Sequence, residues 1–193
     1  MTKIEKLNEL FSQNHFLSVS AIRATGIPSQ FVTNMLRRGK IIRVARGVYS
    51  PSETDDLELL AQRIPAGVIC LVSALRFHNL TDENPHEISI AVPHGYHTPD
   101  LSYPPVRYFS FSGKAFSEAI IPRMLNGTTV KVYSVEKTIA DCFKYRNKIG
   151  LDIAITALRE AANQNRIDYN ALWSAAKICR VSNIIRPYME AYQ

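Results

Sequence analysis

Residues 17–50 read LSVSAIRATGIPSQFVTNMLRRGKIIRVARGVYS, and the punctuation of this stretch decides the fold. Two short helical patterns flank a break at Gly26. A second break at Gly39 opens a strand, turn, strand unit with Arg46-Gly47 at its tip. That order predicts a helix-turn-helix followed by a wing. The first helix can start at Ser18 or Ser20, whose hydroxyls accept from free amides, and it runs to about Thr25. Gly26 ends it, because glycine tolerates the left-handed backbone of a tight helical exit. Pro28 then stands at a helix start, where a missing N–H costs least.

The second helix is expected over residues 29–38. Phe31, Val32, Met35 and Leu36 fall at helical spacing and should face inward. The opposite side carries Ser29, Gln30, Thr33, Asn34, Arg37 and Arg38, side-chain types that meet base edges or phosphates. Residues 41–44 and 48–50 read as two strands closed by Ala45-Arg46-Gly47, which leaves Arg46 at an exposed tip within reach of a minor groove or a phosphate. Gln30, Thr33 and Asn34 are candidate base contacts, Lys40 and Arg43 candidate phosphate anchors, and Arg37 and Arg38 can serve either purpose. The plainer alternative is that any small trihelical scaffold has a polar outer face and that Arg46 is ordinary loop.

Charge separates the two readings. The chain has 193 residues and a net charge of +6. Residues 1–51 hold Lys3, Lys6, Arg23, Arg37, Arg38, Lys40, Arg43 and Arg46 against Glu5 and Glu9, so they carry the whole excess; residues 52–193 balance 15 basic against 15 acidic side chains. A polyanion reader requires such a footprint. Membrane-surface binding would also want exposed large apolar residues on an amphipathic helix, and those here are needed for a small core.

With 46% apolar and 21% charged residues the chain is expected to fold. Cys70, Cys142 and Cys179 are odd in number and far apart, which reads as buried free thiols. The N-terminal residues lack an apolar leader core and no segment reaches membrane-helix length, so a cytoplasmic location is expected.

The fold class expected is α+β: a winged helix-turn-helix over residues 1–51, a linker helix within 52–66, and over 67–193 a small mixed β-sheet domain with a helical C-terminal region. A first helix over 2–14, with Ile4, Leu7, Leu10 and Phe11 on one stripe, supplies the third wall of the N-terminal core. His15 at its exit reads as a capping or surface residue. Further on, 68–71, 86–92, 106–111 and 129–132 read as strands, 86–92 with the clearest period of two. Ser134, Asp168 and Ser182 are expected to cap helices of the C-terminal region.

Three segments together resemble the AbiEi family of antitoxins and transcriptional regulators from type IV toxin-antitoxin systems of bacterial phage defence. They are RGVY at 46–49, VSALRFHNLT at 72–81 and VKVYSVEKTIADCF at 130–143. Ser73, Leu75 and His78 match its SAL-x-x-H signature, and Glu136, Lys137, Thr138 and Asp141 match its later E-K-T-x-x-D helix. Asn79 departs from the pattern, in which a glycine often follows the histidine, and the C-terminal region is shorter than in long members. The resemblance implies a repressor of its own operon that binds inverted repeats in double-stranded DNA through the N-terminal domain. It also implies a second domain active against a nucleotidyltransferase-like toxin without a stable complex. No enzymatic activity is expected, since no glycine-rich phosphate loop or serine nucleophile motif is present.

Other chemistry is weaker in the sequence. His78, His86, His94 and His97 cluster within 20 residues, but their neighbours do not form a metal-ligand pattern, and no metal or cofactor is expected. Asp82, Glu83, Glu87 and Lys131 do not make the converging carboxylates of a two-metal nuclease. Such a nuclease, a stand-alone regulator and a protein-interaction module remain the alternatives. Glu136, Lys137 and Asp141 are expected on a solvated helix face, paired at helical spacing. Selective reading of an operator would need two copies, and whether they associate stably or only on DNA stays open.

Overall fold

Thr2 opens the first helix with a capping box: its hydroxyl accepts from the Glu5 N–H while the Glu5 carboxylate accepts from the Thr2 N–H. The computed structural model describes residues 2–14, 16–51, 55–101 and 104–192. His15 and part of the expected linker, residues 52–54, lie outside the described residues. The chain is α+β, with N-terminal helices, two sheets and C-terminal helices.

The N-terminal unit comprises α1 (Lys3–Gln13), β1 (Leu17–Ser18), α2 (Val19–Ala24), α3 (Ser29–Arg37), β2 (Ile42–Ala45) and β3 (Val48–Ser50). Ser18 is the cap of α2, its hydroxyl accepting from the Ala21 N–H. Gly26 leaves that helix at φ +83°, and α3 begins directly after Pro28. One apolar cluster, Leu7, Phe11, Leu17, Ile22, Ile27, Val32, Met35 and Ile41, fills the space between the helices and the sheet. Phe31 and Leu36, expected inside, are half-buried at its margin. The sheet has an unexpected third strand: β1 pairs antiparallel with β3, giving the order β1-β3-β2. Two residues carry too little pattern to be read as a strand.

The second unit is built on a five-stranded mixed sheet in the order β6-β5-β4-β8-β7. Its strands are β4 (Val68–Ile69), β5 (Ile88–Pro93), β6 (Val106–Phe111), β7 (Ile120–Leu125) and β8 (Thr128–Tyr133). One face carries Val68, Ala91, Phe109, Phe111 and Tyr133 into the larger core. The same core is completed by α5 (Leu71–Phe77), α7 (Val135–Lys144), α9 (Leu151–Asn163), α10 (Tyr169–Cys179) and α11 (Ser182–Ala191), with α9, α10 and α11 packed on α7. The opposite face carries Ile69, Ile90, Val92, Val130 and Val132 under Leu60 of α4 (Asp56–Arg63) and Ile64 just after it. Covering on both sides explains why β5, expected to alternate, buries four consecutive residues. It also places α4, expected as a connector, against the second sheet: buried Glu58 accepts from Asn126 Nδ2 at 2.5 Å, and Lys131 Nζ donates to the Pro65 carbonyl at 2.9 Å.

Two short helices complete the chain, α6 (Lys114–Ser117) and α8 (Arg146–Ile149). Ser134 and Asp168 cap α7 and α10 as expected. Ser182 does not cap α11; Val181 stands at that position with no side-chain bond, and Ser182 is the first helical residue. Trp173, Ile184, Tyr188 and Tyr192 pack against the large core.

The strand β7 is a further addition to the expected set, although its turn is explicit. Asn126 and Gly127 join β7 to β8 with φ of +43° and +88°, the paired positive values of a type I′ hairpin, for which Asn-Gly is the preferred dipeptide. Gly127→Ala is therefore expected to destabilise the protein by about 1–2 kcal/mol, measured as a lower urea midpoint with an unchanged slope.

Candidate nucleic-acid interface

The packing of α3 sorts its residues by face. Val32 and Met35 are buried, while Gln30, Thr33, Arg37 and Arg38 are exposed and Ser29 and Asn34 are half-exposed. Lys40 follows the helix, Arg43 lies on β2, and Arg46 sits in the two-residue turn before β3; all three are exposed. Among the described residues, no carboxylate comes within 4 Å of Arg37, Arg38, Lys40 or Arg46. The expected residues thus occupy α3, the segment after it and the β2–β3 hairpin, with Val32 and Met35 turned inward between them.

Some of their hydrogen-bonding capacity is already engaged. Ser29 Oγ accepts from Arg23 Nε at 2.6 Å, and Thr33 Oγ1 donates to the Ser29 carbonyl at 3.1 Å. Arg23 is not among the expected site residues, yet it bridges the end of α2 and the first turn of α3. Lys6 Nζ donates to the Thr25 carbonyl at 2.5 Å, so a cation of α1 stands at the C-terminal end of α2, where the helix dipole favours it. The turn between the helices is therefore tied from both sides. The sequence signal for Arg23 is its place in the last turn of α2, before the break.

The second set of expected residues is brought together deep inside the other unit. Leu75 is buried in the core, and Ser73 Oγ accepts from the Ser89 N–H at 2.9 Å, docking α5 on β5. His78 Nε2 donates to the Tyr133 carbonyl at 2.7 Å, and Thr138 Oγ1 donates to the same oxygen at 3.3 Å. One carbonyl at the end of β8 thus joins the two signature segments. Asn79 takes φ +57°, a left-handed conformation that asparagine tolerates better than most residues. Glu136 Oε1 accepts from the Asp168 N–H at 3.3 Å, linking α7 to the start of α10.

The solvated-face expectation for α7 is overturned. Lys137, Thr138 and Asp141 are each 0% exposed. Lys137 Nζ donates to Asp141 Oδ2 at 2.5 Å and lies 4.2 Å from the Tyr133 ring centre and 4.9 Å from that of Phe111. Cys179 Sγ donates to Asp141 Oδ1 at 3.1 Å. The four-residue spacing is visible in the sequence, but periodicity cannot show that the Phe111 and Tyr133 rings and α10 cover this face. Burial raises the Asp141 carboxyl above its ordinary range, and the Lys137 ammonium pulls it partly back. Burial also pushes the Cys179 thiol up to about 12. Cys70, Cys142 and Cys179 are free and buried. Among the described residues, no group of three or more His, Cys, Asp or Glu side chains is placed to hold a metal, and no helix is long and apolar enough to cross a membrane.

Known proteins share parts of this architecture. Residues 5–51 match the AbiEi_4 family model, described as transcriptional regulator, AbiEi antitoxin. The AbiEi resemblance is thereby borne out for the segment that holds α1 to β3. No curated protein matches the chain. A crystal structure of the RV2827C protein from Mycobacterium tuberculosis is similar in fold, with a TM-score of 0.58 at 15% identity, covering 100% of this chain and 80% of that one.

Two outcomes test the buried groups. Lys137→Met should cost about 3–5 kcal/mol, because the buried Asp141 carboxyl loses its ion-pair partner, whereas Lys137→Met with Asp141→Leu should recover part of that loss in urea unfolding. Burial lowers the His78 pKa, as do Arg166 and Arg123, against the opposing Tyr133 bond and Glu136. The unfolded chain then binds the proton more readily, so stability is expected to fall as pH drops below about 6.5. His78→Gln should flatten that dependence in melts between pH 7 and pH 5.

Proposed function

We propose that the chain is a sequence-specific, double-stranded-DNA-binding transcriptional repressor. In this reading residues 1–51 form a winged helix-turn-helix domain: α2 and α3 are the helix pair and the β2–β3 hairpin is the wing. The observation that carries it is the coincidence of three features on one small unit, namely the family match, the unneutralised cations and the outward polar side of α3.

The mechanism builds on that geometry. α3 enters a major groove, where Gln30, Thr33 and Asn34 present amide and hydroxyl groups to base edges. Ser29 is held by Arg23 and contributes mainly to the register of the first turn. Lys40 and Arg43 take phosphates on either side, Arg37 and Arg38 meet guanine or phosphate, and Arg46 reaches the adjacent backbone or minor groove from the wing. One such unit reads a short site, so two copies on inverted repeats supply the selectivity an operator requires.

The AbiEi match supports a place in a type IV toxin-antitoxin operon that the protein represses and whose nucleotidyltransferase-like toxin it counteracts without a stable complex. The second unit would act as the antitoxin part, in a cytoplasmic, non-enzymatic protein used in phage defence. Its signature residues hold α5, β8 and α7 together, so their role in that activity is to keep its surface in shape.

Fluorescence anisotropy of the full chain on duplex DNA from upstream of its own gene, across a salt series, tests the DNA reading. Asn34→Ala should cost about 1–3 kcal/mol and relax the sequence preference. Arg37→Ala should weaken binding and, where it meets a phosphate, make the salt slope shallower by about one. Absence of binding by the wild type at low salt would overturn the proposal.

A further inference from the structure

The neutral second half of the sequence conceals a division of charge. Residues 51–100 hold 8 acidic and 2 basic side chains, whereas residues 101–150 hold 8 basic and 3 acidic ones. Part of that basic set converges on a cavity of about 650 Å³ between the loop before α6, the end of α7 and the end of α10. Its walls include Ser112, Gly113, Lys114, Lys144, Cys179 and Arg180. Lys114, Lys144 and Arg180 are exposed, and among the described residues none has a carboxylate within 4 Å.

We propose that this cavity binds a small molecule carrying two or more phosphate groups. Three cations facing one concave space repel one another until an anion of comparable charge enters, and a carboxylate alone would balance only one of them. The volume lies within the range of small-molecule sites. Lys144 Nζ lies 5.9 Å and 6.0 Å from the ring centres of Phe111 and Tyr145, which orient it beside the cavity. Arg180 occupies the C-cap of α10 at φ +60°, in the left-handed region where glycine is the usual residue. The arginine side chain at this position stands at the rim of the cavity beside Lys144. The C-terminal dipole of α10 works against an anion, and Arg180 with Lys177 in its last turn offsets it.

The chemistry beneath the cavity fits as well. Cys179 forms part of the wall and turns its thiol onto Asp141, whose other oxygen is taken by Lys137. The carboxylate beneath Cys179 is thus buried and paired with Lys137, and none of the residues lining the cavity is acidic. A nucleoside triphosphate and a short inorganic polyphosphate share the chemistry this site would recognise. The proposal stands apart from the DNA reading, since its residues lie outside the segment that carries it.

Isothermal titration calorimetry of the full chain with ATP and with tripolyphosphate, at fixed ionic strength set by sodium chloride, provides the test. Saturable binding at one site per chain is expected for at least one of them. Equal affinity would assign recognition to the phosphate chain, and tighter ATP binding would add the nucleoside; both support the site. The Lys144→Ala, Arg180→Gly double variant should lose at least tenfold in affinity, while Arg37→Ala should bind as wild type does. Arg180→Gly keeps the left-handed backbone available, and matching thermal melts of variant and wild type would show that the fold is retained. No saturable binding of either compound, unchanged affinity in the double variant, or loss in Arg37→Ala instead would overturn the proposal.

Discussion

Ile22 and Ile27, almost wholly excluded from water between α1 and α3, fix the angle at which the helices of the N-terminal unit meet. A six-residue helix such as α2 has no independent stability in water, so its existence depends on that packing. The same constraint decides what α3 shows to the outside. With Val32 and Met35 committed to the core, Gln30, Thr33, Arg37 and Arg38 have nowhere to go but solvent. Lys6 and Arg23 close the turn by hydrogen bonds to Thr25 and Ser29, which removes slack between the helices. The outward polar side of α3 is thus a consequence of where eight apolar side chains are placed.

The second unit solves a different problem. Helices on one face of its sheet and α4 on the other leave β5 no solvent side. The polar groups inside are consequently paired: His78 and Thr138 on the Tyr133 carbonyl, Ser73 on the Ser89 amide, Lys137 on Asp141. A buried ion pair is a poor source of net stability but a strong penalty on any arrangement that separates its members. Here it aligns α7 with α10 through Cys179, so Ser73, His78, Lys137, Thr138 and Asp141 serve as joints between elements.

Legibility in the sequence tracks the strength of local signals. Helix ends with a capping residue, a glycine or a proline are readable: Ser18, Gly26, Pro28, Ser134 and Asp168 each act where expected. The outward residues of α3 are readable because amphipathic spacing is a property of the chain itself. The features that escape depend on contacts distant in sequence. β1 is a strand only because β3 lies beside it, and Lys137 and Asp141 are buried against the Phe111 and Tyr133 rings of the sheet and Cys179 of α10. β7 is the exception, since Asn126-Gly127 is a local hairpin signal that the strand pattern around it obscures. The cationic cavity is invisible for another reason: summing charge over residues 52–193 cancels two regions of opposite sign.

In this account a single unit is responsible for meeting DNA, and a separate unit with its own core is responsible for the outcome of that meeting. Hydroxyl-radical footprinting of the full chain on its own upstream region tests this most directly. The account predicts protection of two inverted half-sites in the wild type, lost together when Asn34 and Arg37 are both replaced by alanine. An unprotected duplex at low salt, or a wild-type pattern that survives both replacements, would contradict it.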